Sequence, residues 1–176
     1  MPLSALYQRV IAPAMHELGR LWEAGAITTA DEHLATAVTH RVLGALRPPA
    51  AFEHSGVAAE SPCALMAAVQ GEQHALGLRM AADLLEDSGY RVAYLGADVP
   101  GEALLQAVRT FAPNLLALSA TMPESTQHLE AVVEEVRREH PQLRLIVGGR
   151  NSRSPRLDEG TVIEDLERLT EAVPLP

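Results

Sequence analysis

The sequence predicts an α/β domain, a doubly wound parallel sheet, with a short helical segment ahead of it. Three observations lead there. From about residue 62 onward, short apolar runs alternate with amphipathic helical stretches. Those runs are continuously apolar instead of alternating, as strands covered on both faces must be. The first 47 residues carry only the helical period. A chain of 176 residues accommodates one such domain and a small appendage. The reading divides it into a helical part at 1–47, a linker at 48–61 rich in Pro, Ala and Ser, and the α/β domain at 62–176.

In the helical part, Leu3, Leu6, Tyr7, Val10, Ile11, Met15, Leu18, Leu21 and Trp22 fall on one stripe, which predicts a helix over 3–24. Pro13 lies inside it and is expected to kink it or displace its start. Gly25 is a natural stop. Thr29 and Glu32 then form an S/T-x-x-E capping box opening a second helix to about Leu46, with Leu34, Val38, Val42 and Leu46 expected inward. Pro48 and Pro49 end it. The domain that follows is read as strand 63–69, helix 76–88, strand 91–95, helix 101–111 and strand 114–120. Helix 124–139, strand 143–147 and a terminal helix at 161–172 complete it. This alternation is Rossmann- or flavodoxin-like, and places ligands at the C-terminal ends of the strands.

Composition removes several functions. With 14 basic and 23 acidic residues the net charge is −9, which disfavours binding a phosphate backbone. No helix-turn-helix pattern is read, so no direct nucleic-acid binding is expected. No apolar run approaches the roughly 18 residues that span a bilayer, and no signal peptide opens the chain. The single Cys63 cannot form an internal disulfide. These features predict a cytoplasmic chain without membrane contact.

Three loops at strand C-termini carry unusual residues: Gly71-Glu72-Gln73-His74-Ala75-Leu76-Gly77, Ser119-Ala120-Thr121 and Gly148-Gly149. Neither G-x-G-x-x-G nor a Walker lysine is present. The first loop instead offers an imidazole with a carboxylate two residues before it. Such a pair suits metal ligation: one ring nitrogen binds the metal while the other gives its proton to the acid, fixing the tautomer. One His cannot hold a bare zinc or iron ion, and no second ligand lies at ligand spacing in the loop. A metal that arrives already chelated needs only one protein ligand, which points to a tetrapyrrole-like cofactor. His16, His40, His54, His128 and His140 are read as surface residues, and Glu130, Glu134, Glu135 and Glu139 as a solvated helix face.

Glu72-x-His74-x-x-Gly77, Ser119 and Gly148-Gly149 resemble the D/E-x-H-x-x-G, S-x-L and G-G signatures of the cobalamin-binding domain, in order, over residues 63–173. The resemblance implies that His74 is the lower cobalt ligand, in place of the cofactor's own displaced tail, and that Glu72 is its acid partner. Gln73, Ala75 and Thr121 lie in the same loops, and Gly77, Ser119, Gly148 and Gly149 would line the slot for the tail. In the helical part, Trp22 followed by Glu32 and His33 resembles the W-x9-E-H motif of the helical cap in CarH/LitR-type photoreceptor regulators, as does the stretch ADLLEDSGYRVAYLGADVP. That resemblance implies adenosylcobalamin, with Trp22 over its upper face and Glu32 and His33 near the adenosyl group. The chain supplies two helices where the family's cap has four, and it carries Glu23 where the family has an upper-ligand His.

Competing readings stand beside these. Trp22 is also a plausible core aromatic, and Glu32 is also explained by the capping box. His33 shares a face with Ala37, His40 and Gly44, a narrow stripe of small residues with room for a flat ligand. The resulting expectation is a light-responsive cobalamin sensor, not an enzyme, binding adenosylcobalamin with methylcobalamin and hydroxocobalamin as other forms. It would act through a homo-oligomer or a partner regulator at the cap helices, or as the sensory segment of a longer regulator. The rival is a corrinoid protein carrying methyl groups for a methyltransferase system. A third reading is a protein-binding module that has lost the cofactor.

Overall fold

The computed structural model describes residues 1–47 and 61–150, with Ser152, Val162, Ile163, Leu166, Leu169 and Val173. The chain divides into two compact units, Met1–Gly56 and Val57–Pro176. Most of the expected linker and of the terminal helix lie outside the described residues.

The N-terminal unit is a helical hairpin. Its first arm consists of α1 (Leu3–Leu6), a π-turn (Tyr7–Ile11) and α2 (Ala12–Glu23), with Pro13 in the first turn of α2. A proline cannot donate to the carbonyl four residues back, and the widened π register is where the arm absorbs this without a break. Gly25, at φ +68°, closes α2 in a Schellman motif: its N–H donates to the Trp22 carbonyl and that of Ala26 to the Leu21 carbonyl, each at 2.9 Å. Helix α3 (Thr29–Leu46) starts one residue earlier than expected. Thr28, not Thr29, is the N-cap, and Asp31, not Glu32, completes the box by accepting from the Thr28 N–H at 2.9 Å.

The stripe expected to face inward on α3 faces outward instead. Leu34, Val38, Val42 and Leu46 are 65%, 47%, 42% and 43% exposed. The less exposed face carries Ala35, Thr36, Thr39 and the buried Leu43, and Thr39 Oγ1 donates to Met15 Sδ at 3.3 Å. Small and hydroxyl side chains thus meet α2 within the hairpin, and the large apolar ones are left over.

The second unit is a parallel sheet of β1 (Cys63–Val69), β2 (Arg91–Val99), β3 (Leu115–Ser119), β4 (Arg144–Gly148) and β5 (Val162–Ile163), in the order β2-β1-β3-β4-β5. Between them run α4 (Leu76–Asp87), α5 (Gly101–Phe111) and, after a 3-10 turn (Pro123–Ser125), α6 (Thr126–Glu139). Leu65, Ala67, Leu116 and Leu118 form one core cluster with Leu104 and Val108 of α5 and Leu129, Val133 and Val136 of α6. Ala64, Met66 and Ala68 are buried as well, so β1 is covered on both faces, and α4 packs on β1 and β2.

Two details depart from the sequence expectation. Val162 and Ile163, placed in the terminal helix, pair with Val147 and Gly148 as a short edge strand; Leu166 and Leu169 are helical. Strand β2 runs four residues further than expected, with register shifts against β1 at Met66/Ala67 and Ala67/Val69. Gly96 (φ +86°) and Asp98 (φ +55°) lie in this irregular stretch, where bulges characteristically re-aim a side chain.

Candidate functional site

The strand order is that of flavodoxin-like sheets, and its switch point lies between β1 and β3. The chain leaves β1 toward one edge and returns from β2 to the other side, which makes this the place where open α/β sheets take their ligands. Ala68, Ser119 and Gly148 stand in register across the strand ends there.

Glu72 ties the two loops together. Gly71 takes φ +82°, and the Glu72 N–H donates back to the Val69 carbonyl at 2.9 Å, turning the chain sharply off β1. The carboxylate is fully buried. Its Oε1 accepts from the His74 backbone N–H and from His74 Nδ1, both at 2.7 Å. Its Oε2 accepts from the Thr121 N–H, the Met122 N–H at 2.8 Å and Ser125 Oγ at 3.2 Å. Burial pushes the Glu72 pKa up, but hydrogen bonds from the His74, Met122 and Thr121 amides and the His74 ring outweigh it, and the pKa lies below the ordinary carboxylate value. The group is therefore ionised and accepts only, so Nδ1 must carry the proton. In the neutral ring this leaves Nε2 with its lone pair, on a side chain 59% exposed. Carboxylate, imidazole and a free nitrogen in this order form the arrangement that orients a metal-bound His.

The remaining loop residues fall into place around this pair. Gln73 Nε2 donates to Asp98 Oδ2 at 3.1 Å. The Ala75 carbonyl accepts from the Arg79 N–H at 2.9 Å and from Tyr94 Oη at 3.3 Å. Gly77 is helical and exposed, and a Cβ built there meets nothing within 4 Å. Among the described residues nothing demands glycine at this position. Gly149 differs. At φ +102°, a Cβ there would lie 2.3 Å from the Ala120 carbonyl oxygen, so glycine is required by the protein's own loop packing. Gly148 has only an ordinary contact, 3.5 Å to the Ile163 carbonyl.

Trp22, Glu32 and His33 belong to the N-terminal unit. Trp22 is 47% exposed, not a core aromatic, and its Nε1 donates to Thr29 Oγ1 at 3.2 Å. Glu32, free of the capping box, accepts from His33 Nδ1 at 2.7 Å and from Thr36 Oγ1 at 2.8 Å.

Sequence reasoning missed Ser125, Asp98, Tyr94 and Ser152, whose Oγ donates to the Gly149 carbonyl at 2.7 Å. It also treated His128 as surface only; His128 is exposed, yet its ring nitrogen Nδ1 pairs with the Gln70 carbonyl at 2.9 Å. Among the described residues no three His, Cys, Asp or Glu side chains gather as a metal cluster, and no helix is long and apolar enough to cross a membrane.

The sheet-end loops coincide with a family match: residues 62–165 match the family described as B12 binding domain. This chain belongs to that family. A second family of the same description, B12 binding domain, matches residues 1–47, the helical hairpin. The HTH-type transcriptional repressor CarH of Myxococcus xanthus is 32% identical over 154 residues, covering 87% of this chain and 49% of the repressor. The chain thus spans about half the length of that relative. Dimethylamine corrinoid protein 3 of Methanosarcina acetivorans is 23% identical, over 85% of this chain and 70% of its own. Among solved structures, the monomethylamine corrinoid protein of Methanosarcina barkeri shares the fold at a TM-score of 0.74 and 18% identity, covering 97% of this chain and 82% of that one. For a B12-binding domain, the donor set is chemically apt: a single oriented imidazole with a free Nε2, and an open glycine at the start of α4.

Proposed function

We propose that this B12-binding chain is a cobalamin sensor of regulatory type, taking adenosylcobalamin with His74 as the lower cobalt ligand. The Glu72–His74 pair carries the reading: the buried, ionised carboxylate fixes the tautomer that presents Nε2 as a base. Glu72 holds the ring, while Gly77, Ser119 and Gly148 leave room beside the β1 and β3 ends for the displaced tail. Trp22, Glu32 and His33 are the hairpin's candidates for contact with the adenosyl group. The likeness to CarH through both units supports the regulatory role. When bound, the cofactor supplies visible absorption and a photolabile cobalt–carbon bond. The outward Leu34, Val38 and Val42 support signalling through a homo-oligomer or a partner.

The test is absorption spectroscopy of the protein with adenosyl-, methyl- and hydroxocobalamin, in darkness and after illumination, beside His74→Ala. A His-ligated spectrum absent from His74→Ala supports the ligand assignment; an unaltered spectrum in that variant ends it. Illumination should change the adenosyl spectrum without a second imidazole arriving, because Glu23 stands where the resembling family has its His. A bis-imidazole spectrum lost in His33→Ala would move that role to His33. The likeness to dimethylamine corrinoid protein 3 over 70% of its length favours a second reading, a carrier of methyl groups. Binding of methylcobalamin with no binding of adenosylcobalamin would put that reading first.

A further inference from the structure

We infer that Asp98 is the positioning residue of the His74 loop, an assignment that rests on His74 being the cobalt ligand. Three consecutive residues ahead of His74 are tied to it. Asp98 Oδ1 accepts from the Gly71 N–H at 2.7 Å, its own N–H donates to the Glu72 carbonyl at 2.9 Å, and Oδ2 accepts from Gln73 Nε2 at 3.1 Å. Its backbone sits in the left-handed region at φ +55°, which Asp tolerates better than most residues but still occupies at a cost. The irregular register of β2 places it there, at the edge of the sheet, facing a loop 27 residues earlier. A turn-forming role alone needs the left-handed backbone and neither carboxylate oxygen. The carboxylate instead holds the amide before Glu72 and the side chain after it, so the Glu72 carboxylate is presented to the His74 ring with its main chain already fixed. Asp98 acts on the ligand only through Glu72 and Gln73.

Asp98→Gly keeps the left-handed backbone without strain and deletes both acceptors. Asp98→Asn keeps the backbone tolerance, an oxygen for the Gly71 N–H and, with Gln73 rotated, a bond to its amide. In cofactor-free protein, hydrogen exchange at the His74 amide should quicken about tenfold in Asp98→Gly, the scale of one lost bond to a charged group. The 15N signals of the His74 ring should move toward averaged tautomers. Asp98→Asn should stay near wild type. Val136→Ala, a remote core truncation, should lower the melting temperature and leave both readouts unchanged. With hydroxocobalamin as probe, Asp98→Gly should bind more weakly with a diminished His-ligated spectrum. Unchanged exchange and ring signals in Asp98→Gly overturn the inference whatever the melting temperature does. Should that variant not fold, Gln73→Ala removes one exposed link and must shift the same readouts in the same direction; no shift overturns it equally. If His74→Ala keeps the wild-type spectrum, the ligand reading fails, and the cofactor-free result still judges the hold of Asp98 on the loop.

Discussion

Among the described residues two Glu–His pairs share one geometry, each a carboxylate oxygen 2.7 Å from an imidazole Nδ1. They differ in what surrounds the acid. Glu72 is fully buried and receives bonds from two loops, including three backbone amides. The Glu32 side chain is 27% exposed and is shared with one threonine of its own helix, and its His33 is 75% exposed. A buried acid satisfied by fixed amides holds its imidazole in one orientation before any ligand arrives, whereas a partly solvated one competes with water and rotamer freedom. The sheet-end pair is therefore preorganised by its own loops, and the hairpin pair is not.

The sharpest way to break this contrast is to disturb the loop frame itself. In Gly149→Ala, the new Cβ meets the Ala120 backbone at 2.3 Å from a positive φ. Strained dihedrals and overpacking each cost about 1–3 kcal/mol, so denaturant unfolding should show a loss of about 3 kcal/mol or more. A loss below about 1 kcal/mol would mean that the loops yield easily, and the claim of a prebuilt site would fall.

Glu72→Gln attacks the pair directly. A carboxamide meets donors on both sides, and its NH2 group must face some of them, at about 1–3 kcal/mol of stability. If that NH2 turns to His74, Nδ1 must accept, the proton moves to Nε2, and the nitrogen for the metal is lost. Titration should show cobalamin affinity falling about 10–100-fold, the scale for losing the acid partner of a metal-bound His. Glu32→Gln should change it far less. Equal losses would erase the contrast.

The depressed pKa of Glu72 gives this contrast a pH signature. A carboxylate lowered on folding stabilises fully above its unfolded value, about 4.3, and that contribution disappears as pH falls through the lower folded value. Melting curves from pH 7 to pH 3 should show the gap between wild type and Glu72→Gln closing at the acidic end. A gap that stays constant would mean that the charge of Glu72 contributes nothing.

Legibility in sequence follows the same division. Strands β1 and β3 were readable because both faces are covered, which makes continuous apolar runs; β2 was cut short because its edge half, Leu95–Val99, mixes glycine and acid with apolar residues. The Glu72–His74 pair was readable because the two lie two residues apart. Asp98 and Ser125 were not, since they reach the loop across 27 and 53 residues of chain through strand register and the 3-10 turn. The helix start slipped by one because Thr28-x-x-Asp31 and Thr29-x-x-Glu32 both satisfy the box template, and only backbone geometry chooses. The outward stripe of α3 was misread because periodicity identifies an apolar face without saying what covers it.

A smaller effect separates protein from ligand demands on glycine. Gly77→Ala meets open space in helical backbone, so the cofactor-free protein should gain about 0.4–1 kcal/mol. Cobalamin binding should nevertheless weaken. Stability and affinity both rising would show that nothing approaches the start of α4.

The smallest change in folding stability belongs to the hairpin. Leu34, Val38 and Val42 recur at every fourth residue on α3, so they form one exposed row. Replacing such residues by serine removes little burial within the hairpin, and each change should alter unfolding stability by no more than about 0.5 kcal/mol. Exposed apolar patches commonly mark association surfaces. The triple serine variant should therefore sediment as the 18.9 kDa monomer, while the wild type, with cobalamin in darkness, sediments as a larger species. A wild type that is monomeric under every condition would show that the row is covered by nothing of its own kind. A triple variant that loses several kcal/mol would show instead that the row is core, and the contrast between the two Glu–His regions would have to be redrawn.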